Sequence, residues 1–216
     1  MAALLEVKGL DPRYQRDVAI VSRLSFSVDA GGALIFRGPN GSGKTTALLG
    51  LLGATPFSSG EVLIDARPLG PLPWHRIGPG RLGVALQREP VFPDLTGQQH
   101  VELACQLGAV RPVARRDMMD LPLFEPLRKP TLLERRAGSY SGGEQRLLSI
   151  ACAVLRSPRA LLLDEPTAGL QPTLLPLLLE LLERLRSTGV AVLVVEHLAA
   201  LPIPGAAVIR FPVGGE

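Results

Sequence analysis

The chain has 216 residues, and its 23 basic and 20 acidic side chains leave a net charge of +3. These charges are spread along the sequence without a Lys/Arg block, and few aromatics interleave with them, so the pattern argues against a nucleic-acid-binding surface. The length suits one large domain with room for a modest inserted lobe, not two independent domains. Cys105 and Cys152 are the only cysteines; far apart and in apolar helical contexts, they suggest neither a disulfide framework nor a metal knuckle, and both are expected to be buried and reduced.

The opening residues, MAALLEVKGLDPRYQ, meet acidic and polar side chains within a few positions and lack the profile of a signal peptide. Apolar runs then predict strands in order: LLEV, SFSV, ALIF, EVLI and LGVAL, and, after a long interval, ALLL, VAVLVV and AAVIRF. Several are continuous rather than alternating, as expected of strands buried on both faces. Helical patterns run from Lys44 to Leu52, stopped by Gly53; from Gly143 to Arg156, stopped by Pro158; and from Thr173 to Arg186, stopped by Gly189. Between Asp94 and Ser139 the character changes to helix-like spacing (Val101, Leu103, Ala104, Leu107) with no convincing strand, which reads as an inserted helical lobe. Alternating strands and helices predict an α/β core. The most apolar windows, Leu174 to Leu182 and Val190 to Val195, fall far short of the ~20 residues of a membrane-spanning helix.

Gly38-Pro39-Asn40-Gly41-Ser42-Gly43-Lys44-Thr45 fits the phosphate-loop pattern G-x-x-x-x-G-K-[ST] between a predicted strand and a predicted helix, the context the motif requires. Its glycines let backbone N–H groups turn toward phosphates at a helix N-terminus. Lys44 would reach the β- and γ-phosphates of a nucleotide, and the Thr45 hydroxyl would ligate Mg²⁺. Further on, a buried strand ends in Asp164-Glu165, placing two carboxylates on the side of the sheet where a phosphate loop also sits. Asp164 fits a water-mediated Mg²⁺ ligand and Glu165 the group that orients and deprotonates an attacking water. Taken alone, the pair is equally compatible with solvated residues of the turn that Pro166 starts. Ser141-Gly142-Gly143-Glu144 precedes an amphipathic helix and reads as a capping box. That reading leaves the two consecutive glycines unexplained, and an anion at the helix N-terminus would account for them.

The phosphate loop, YSGGE and ALLLDEP, in this order, resemble the ATP-binding cassette family over nearly the whole chain. The resemblance implies a P-loop NTPase fold over residues 1–216: a core with a mixed sheet, an N-terminal antiparallel β-subdomain and a helical subdomain at about 94–157 inserted in the RecA-like core. It also implies an ATPase that sandwiches two MgATP in a head-to-tail dimer. Phosphate binding would fall to the loop from Gly38 through Thr46, and the signature residues Ser141, Gly142 and Gly143 would contact the γ-phosphate held by the other subunit. Gln87 matches the loop glutamine that touches Mg²⁺ and water, His197 the switch histidine on the γ-phosphate, and Tyr14 the aromatic that stacks on adenine. A lone Gln at a strand end, a lone His and a half-buried Tyr would each also pass as structural. The signature begins with Tyr140 where Leu is usual and carries Glu144 where Gln is common. Gln171 stands where the family usually has Asp in the loop across the dimer.

LPWHRIGPGRLGVALQ, VFPDLT and VVEH are similar to ATPase subunits of branched-chain amino-acid importers and their lipopolysaccharide-export relatives. The partners so implied are a second ATPase subunit, identical or paralogous, and separate transmembrane permease or exporter subunits. The expected location is the cytoplasm, peripheral on the inner face of the cell membrane. A soluble cassette ATPase outside transport is the alternative; such proteins commonly carry tandem cassettes, coiled-coil insertions or basic tails, features not seen in these 216 residues. A regulatory nucleotide-binding module without turnover is a third reading, against which Glu165 and His197 argue.

Overall fold

The computed structural model describes residues 3–15, 18–19, 21–69, 80–88, 91–108, 117–197 and 201–212. Parallel and antiparallel strands segregate into two sheets. The first is built around β1 (Ala3–Gln15), which pairs antiparallel with β2 (Val18–Ala19), β3 (Leu24–Asp29) and β5 (Phe57–Ile64); β6 (Arg67–Pro68) extends it from β5. The second is wholly parallel, in the order β10 (Ala207–Arg210), β4 (Ala33–Arg37), β9 (Ala191–Glu196), β8 (Ala160–Asp164), β7 (Leu82–Ala85).

Each predicted strand is present, but β1 runs far beyond the LLEV expected. The chain passes through Gly9, Asp11 and Pro12 by shifting register against both β3 and β5. Gly9 takes φ +57°, and a Cβ on the facing Gly60 would lie 2.6 Å from the Gly9 carbonyl oxygen. The close approach of the two backbones calls for glycine at position 60, while at position 9 it is the left-handed φ that favours glycine.

The parallel sheet separates two apolar layers, and side-chain alternation decides which layer each residue joins. Ile35, Leu161, Leu163, Val192 and Val194 face the helices α4 (Gly142–Leu155) and α5 (Leu175–Ser187). Leu34, Phe36, Leu162, Leu193 and Val195 face α1 (Lys44–Leu51) and the antiparallel sheet. β8 and β9 are buried along their whole length, which explains their unbroken apolar runs.

Between β7 and β8 the described residues form no strand, only an isolated bridge from Thr96 to Arg136. They form α2 (Gly97–Gly108), a 3₁₀ segment Pro122–Arg128, the short α3 (Pro130–Leu133), a 3₁₀ turn Ala137–Ser139, and α4. Phe124, Leu127, Leu132 and Tyr140 join the same apolar layer as α4. Tyr140 donates to the Leu132 carbonyl at 2.5 Å and lies against Gly97, where any Cβ would collide with its hydroxyl. Both cysteines are half-buried rather than fully buried as expected, although the Cys152 thiol is pushed up to about 12, mainly by burial and then by the neighbouring Cys105. Among the described residues no helix is long and apolar enough to cross a membrane.

Candidate nucleotide-hydrolysis site

β4 delivers the chain at Arg37 into the Gly38–Gly43 loop, and α1 starts at Lys44. Gly41 and Gly43 adopt φ +77° and +93°, the left-handed region that glycine enters without strain. α1 has no acidic residue in its first turn and no side-chain cap, so its N-terminal N–H groups are left to the loop. The Lys44 side chain is buried and curls back over this loop, donating from Nζ to the carbonyls of Gly38 at 2.9 Å and Pro39 at 2.7 Å. The Ser42 hydroxyl is buried without a hydrogen-bond partner. A cationic amine, an uncapped helix N-terminus and an orphaned hydroxyl around one loop suit an anion.

The loop is tied to the carboxylates by Thr45, whose hydroxyl donates to Asp164 Oδ1 at 3.3 Å. Asp164 ends β8 with only 1% of its surface exposed. Burial is the main cause that raises its pKa, and the neighbouring Glu165 charge adds to it; the Gln87 backbone, Thr45 and Arg146 oppose. Glu165 then takes φ +46°, a conformation costing a non-glycine residue about 1–3 kcal/mol. That turn aims the carboxylate between two donors. Gln87 Nε2 donates to Oε2 at 2.5 Å, and His197 Nε2 lies 3.0 Å from Oε1. Gln87 is two residues past β7 and His197 follows β9 directly, so the exits of neighbouring parallel strands converge on Glu165. An acid held in this way is a solvated turn residue no longer.

Of the residues singled out in the sequence, Thr45 is thus bonded to Asp164, Gln87 and His197 meet on Glu165, and Lys44 bonds the carbonyls of its own loop. Thr46 follows in α1, half-buried. Tyr14 belongs to β1 by its backbone, and its side chain lies outside the described residues. Ser141, Gly142 and Gly143 sit at the N-terminus of α4. The capping box is fully formed there: Glu144 N–H donates to Ser141 Oγ at 3.3 Å, and Ser141 N–H to Glu144 Oε2 at 2.7 Å. The two glycines differ. A Cβ on Gly143 would lie 2.7 Å from the Gly169 carbonyl oxygen, whereas one on Gly142 would meet nothing within 4 Å.

Sequence reasoning missed two residues. Arg146 is buried in α4 and bonds the carbonyls of Leu86 and Gln87; its only signal was a charge on the face shared with Ile150 and Val154. Glu196 is buried too, and accepts from the Thr167 hydroxyl at 2.7 Å and from the N–H groups of Thr167 and His197, each at 3.2 Å. It thereby joins the loop after Glu165 to the loop carrying His197.

Comparison with known proteins yields one family model, described as ABC transporter, which matches residues 21–168. The chain is 33% identical to the lipopolysaccharide export system ATP-binding protein LptB of Acidithiobacillus ferridurans, over 91% of this chain and 81% of that protein. It is 32% identical to the Nod factor export ATP-binding protein I of Burkholderia orbicola, over 90% of this chain and 63% of that protein. Among solved structures, an ATP-binding subunit of an ABC transporter superposes with a TM-score of 0.75 at 26% identity, covering 90% of this chain and 80% of that one. A bacterial ABC transporter cassette described as dimeric gives 0.76 at 24% identity, over 96% and 94%, and bears on the fold alone.

Proposed function

The chain belongs to the ABC transporter family of ATPase subunits, and from that premise we propose that it hydrolyses MgATP in composite sites shared with a second cassette subunit and drives transport through separate membrane subunits. The observation that carries the hydrolytic reading is the grip of Gln87 and His197 on the two oxygens of Glu165, one residue beyond an Asp164 already bonded to the phosphate loop.

The triphosphate is read as lying on the loop from Gly38 through Thr46. Lys44 would exchange its two carbonyl contacts for phosphate oxygens, and Ser42 would gain the partner it lacks. Thr45, Gln87 and, through water, Asp164 offer the hard oxygen donors that suit Mg²⁺. When bound, the ion neutralises charge between the β- and γ-phosphates. Glu165 accepts the proton of the attacking water as the oxygen forms a bond to the γ-phosphorus and the bond to ADP breaks. His197 steadies the carboxylate and the γ-phosphate. Ser141, Gly142 and Gly143 are assigned to the γ-phosphate on the partner subunit, and Tyr14 to the adenine. Residues 94–157 are taken as the inserted helical lobe, with the segment after Gln87 facing the membrane subunits at the inner face of the cell membrane.

Exchanging Glu165→Gln keeps the shape and removes the base. ATP affinity is expected to persist while turnover falls by about 10²–10⁴-fold. Steady-state hydrolysis within twofold of the parent would overturn the assignment.

A further inference from the structure

We propose that Arg146 is a positioning residue for hydrolysis: it ties the signature helix α4 to Gln87 and so places the amide that grips Glu165. The proposal rests on the reading of Glu165 and Gln87 given above. β7 leaves the ladder after Ala85, which pairs with Leu163. Arg146 satisfies the next two carbonyls, donating from Nη1 to Leu86 at 2.7 Å and from Nη2 to Gln87 at 3.2 Å. Nη1 also reaches the Asp164 carbonyl, at 3.5 Å. One planar guanidinium thus spans the exits of β7 and β8, a geometry an ammonium cannot reproduce.

The side chain is only 5% exposed; burial, the main influence, pulls its pKa below the usual guanidinium range, against the favouring charges of Asp164, Glu165 and Glu196. An apolar side chain here would simply continue the stripe of Ile150 and Val154. The arginine instead contacts the backbone on either side of the reacting groups. Gln87 is consequently held at its carbonyl by Arg146 and at its side chain by Glu165. Because Ser141 caps the start of α4, displacement of its signature end is carried by a rigid helix to Arg146 and on to the Gln87 backbone.

The test is a double-mutant cycle on the full chain, reading single-turnover phosphate release and nucleotide affinity for the parent, Arg146→Gln, Gln87→Ala and the double variant. Arg146→Gln is expected to slow turnover at least about tenfold, since small misplacements at a reacting centre are that costly, with ATP affinity within about twofold of the parent. In the Gln87→Ala background the same change should cost less than about twofold. Arg146→Lys, which keeps charge but reaches a single carbonyl, should fall between parent and Arg146→Gln; it carries the cycle if Arg146→Gln does not fold. Full additivity of the two losses, or parental turnover in Arg146→Gln, would overturn the proposal. Glu165→Gln run alongside separates the two readings: if it abolishes hydrolysis while the cycle is additive, only the role of Arg146 falls.

Discussion

The adjacent glycines at the start of α4 differ in what surrounds them, and substituting each by alanine should give opposite results. Gly142 occupies the first helical position after the Ser141 cap, and an added methyl meets only open space. Alanine there gains up to about 1 kcal/mol of helix propensity, which for a chain of this size raises Tm by about 2–4 °C. Gly143 gains the same propensity, but its methyl would be closer to the Gly169 oxygen than a Cβ normally comes to a backbone atom. Gly169 is itself fixed at φ +76°, so the turn yields poorly and overpacking of about 1–3 kcal/mol is expected to outweigh the gain. Gly143→Ala should therefore lower Tm. Function should divide differently. If another subunit's phosphate approaches this helix end, the methyl of Gly142→Ala stands in its path, and hydrolysis falls in a protein more stable than its parent. Thermal unfolding of the nucleotide-free chain and steady-state ATPase measured on the same preparations check both halves. A Gly142→Ala protein with unimpaired hydrolysis would refute the claim that open space at this position serves ligand approach, and a lowered Tm would refute the local geometry.

Mixing Ser141→Arg with Lys44→Ala subunits should recover more ATPase activity than the two variants assayed separately, because one composite site of a head-to-tail pair then keeps an intact loop facing an intact signature; no gain on mixing would argue against shared sites. Tyr140→Phe removes a hydrogen bond to the Leu132 carbonyl, which keeps a second donor in the Arg135 N–H, so denaturant unfolding should report a loss of only about 0.5–1.5 kcal/mol. Asp65 takes a bidentate hydrogen bond from Arg159 across two half-exposed side chains, and that bond, outweighing the opposite effect of burial, holds its carboxyl below the usual carboxylate range. Its stabilisation is present above the unfolded pKa and lost as pH falls through the folded one. Asp65→Asn should therefore flatten the acid limb of the stability curve by less than about 1 kcal/mol; a larger change at neutral pH would contradict the exposed character of the pair.

Local chemistry determined much of this protein by itself. Continuous apolar runs announced β8 and β9 because strands covered on both faces have no polar side to display, and Gly53, Pro158 and Gly189 marked helix ends because the backbone rules at those residues are local. The phosphate loop was legible for the same reason: its residues are contiguous, and glycine spacing encodes its turn. The carboxylate pair was not legible from its own residues alone, since a solvated turn and a gripped carboxylate read alike until the exits of β7 and β9 are brought beside Glu165. The glycines of α4 were likewise indistinguishable in sequence and became different only when Gly169 closed over one of them. Arg146 was hidden most completely, because its partners are backbone carbonyls some 60 residues away, and a carbonyl leaves no trace in the identity of the side chain that bears it.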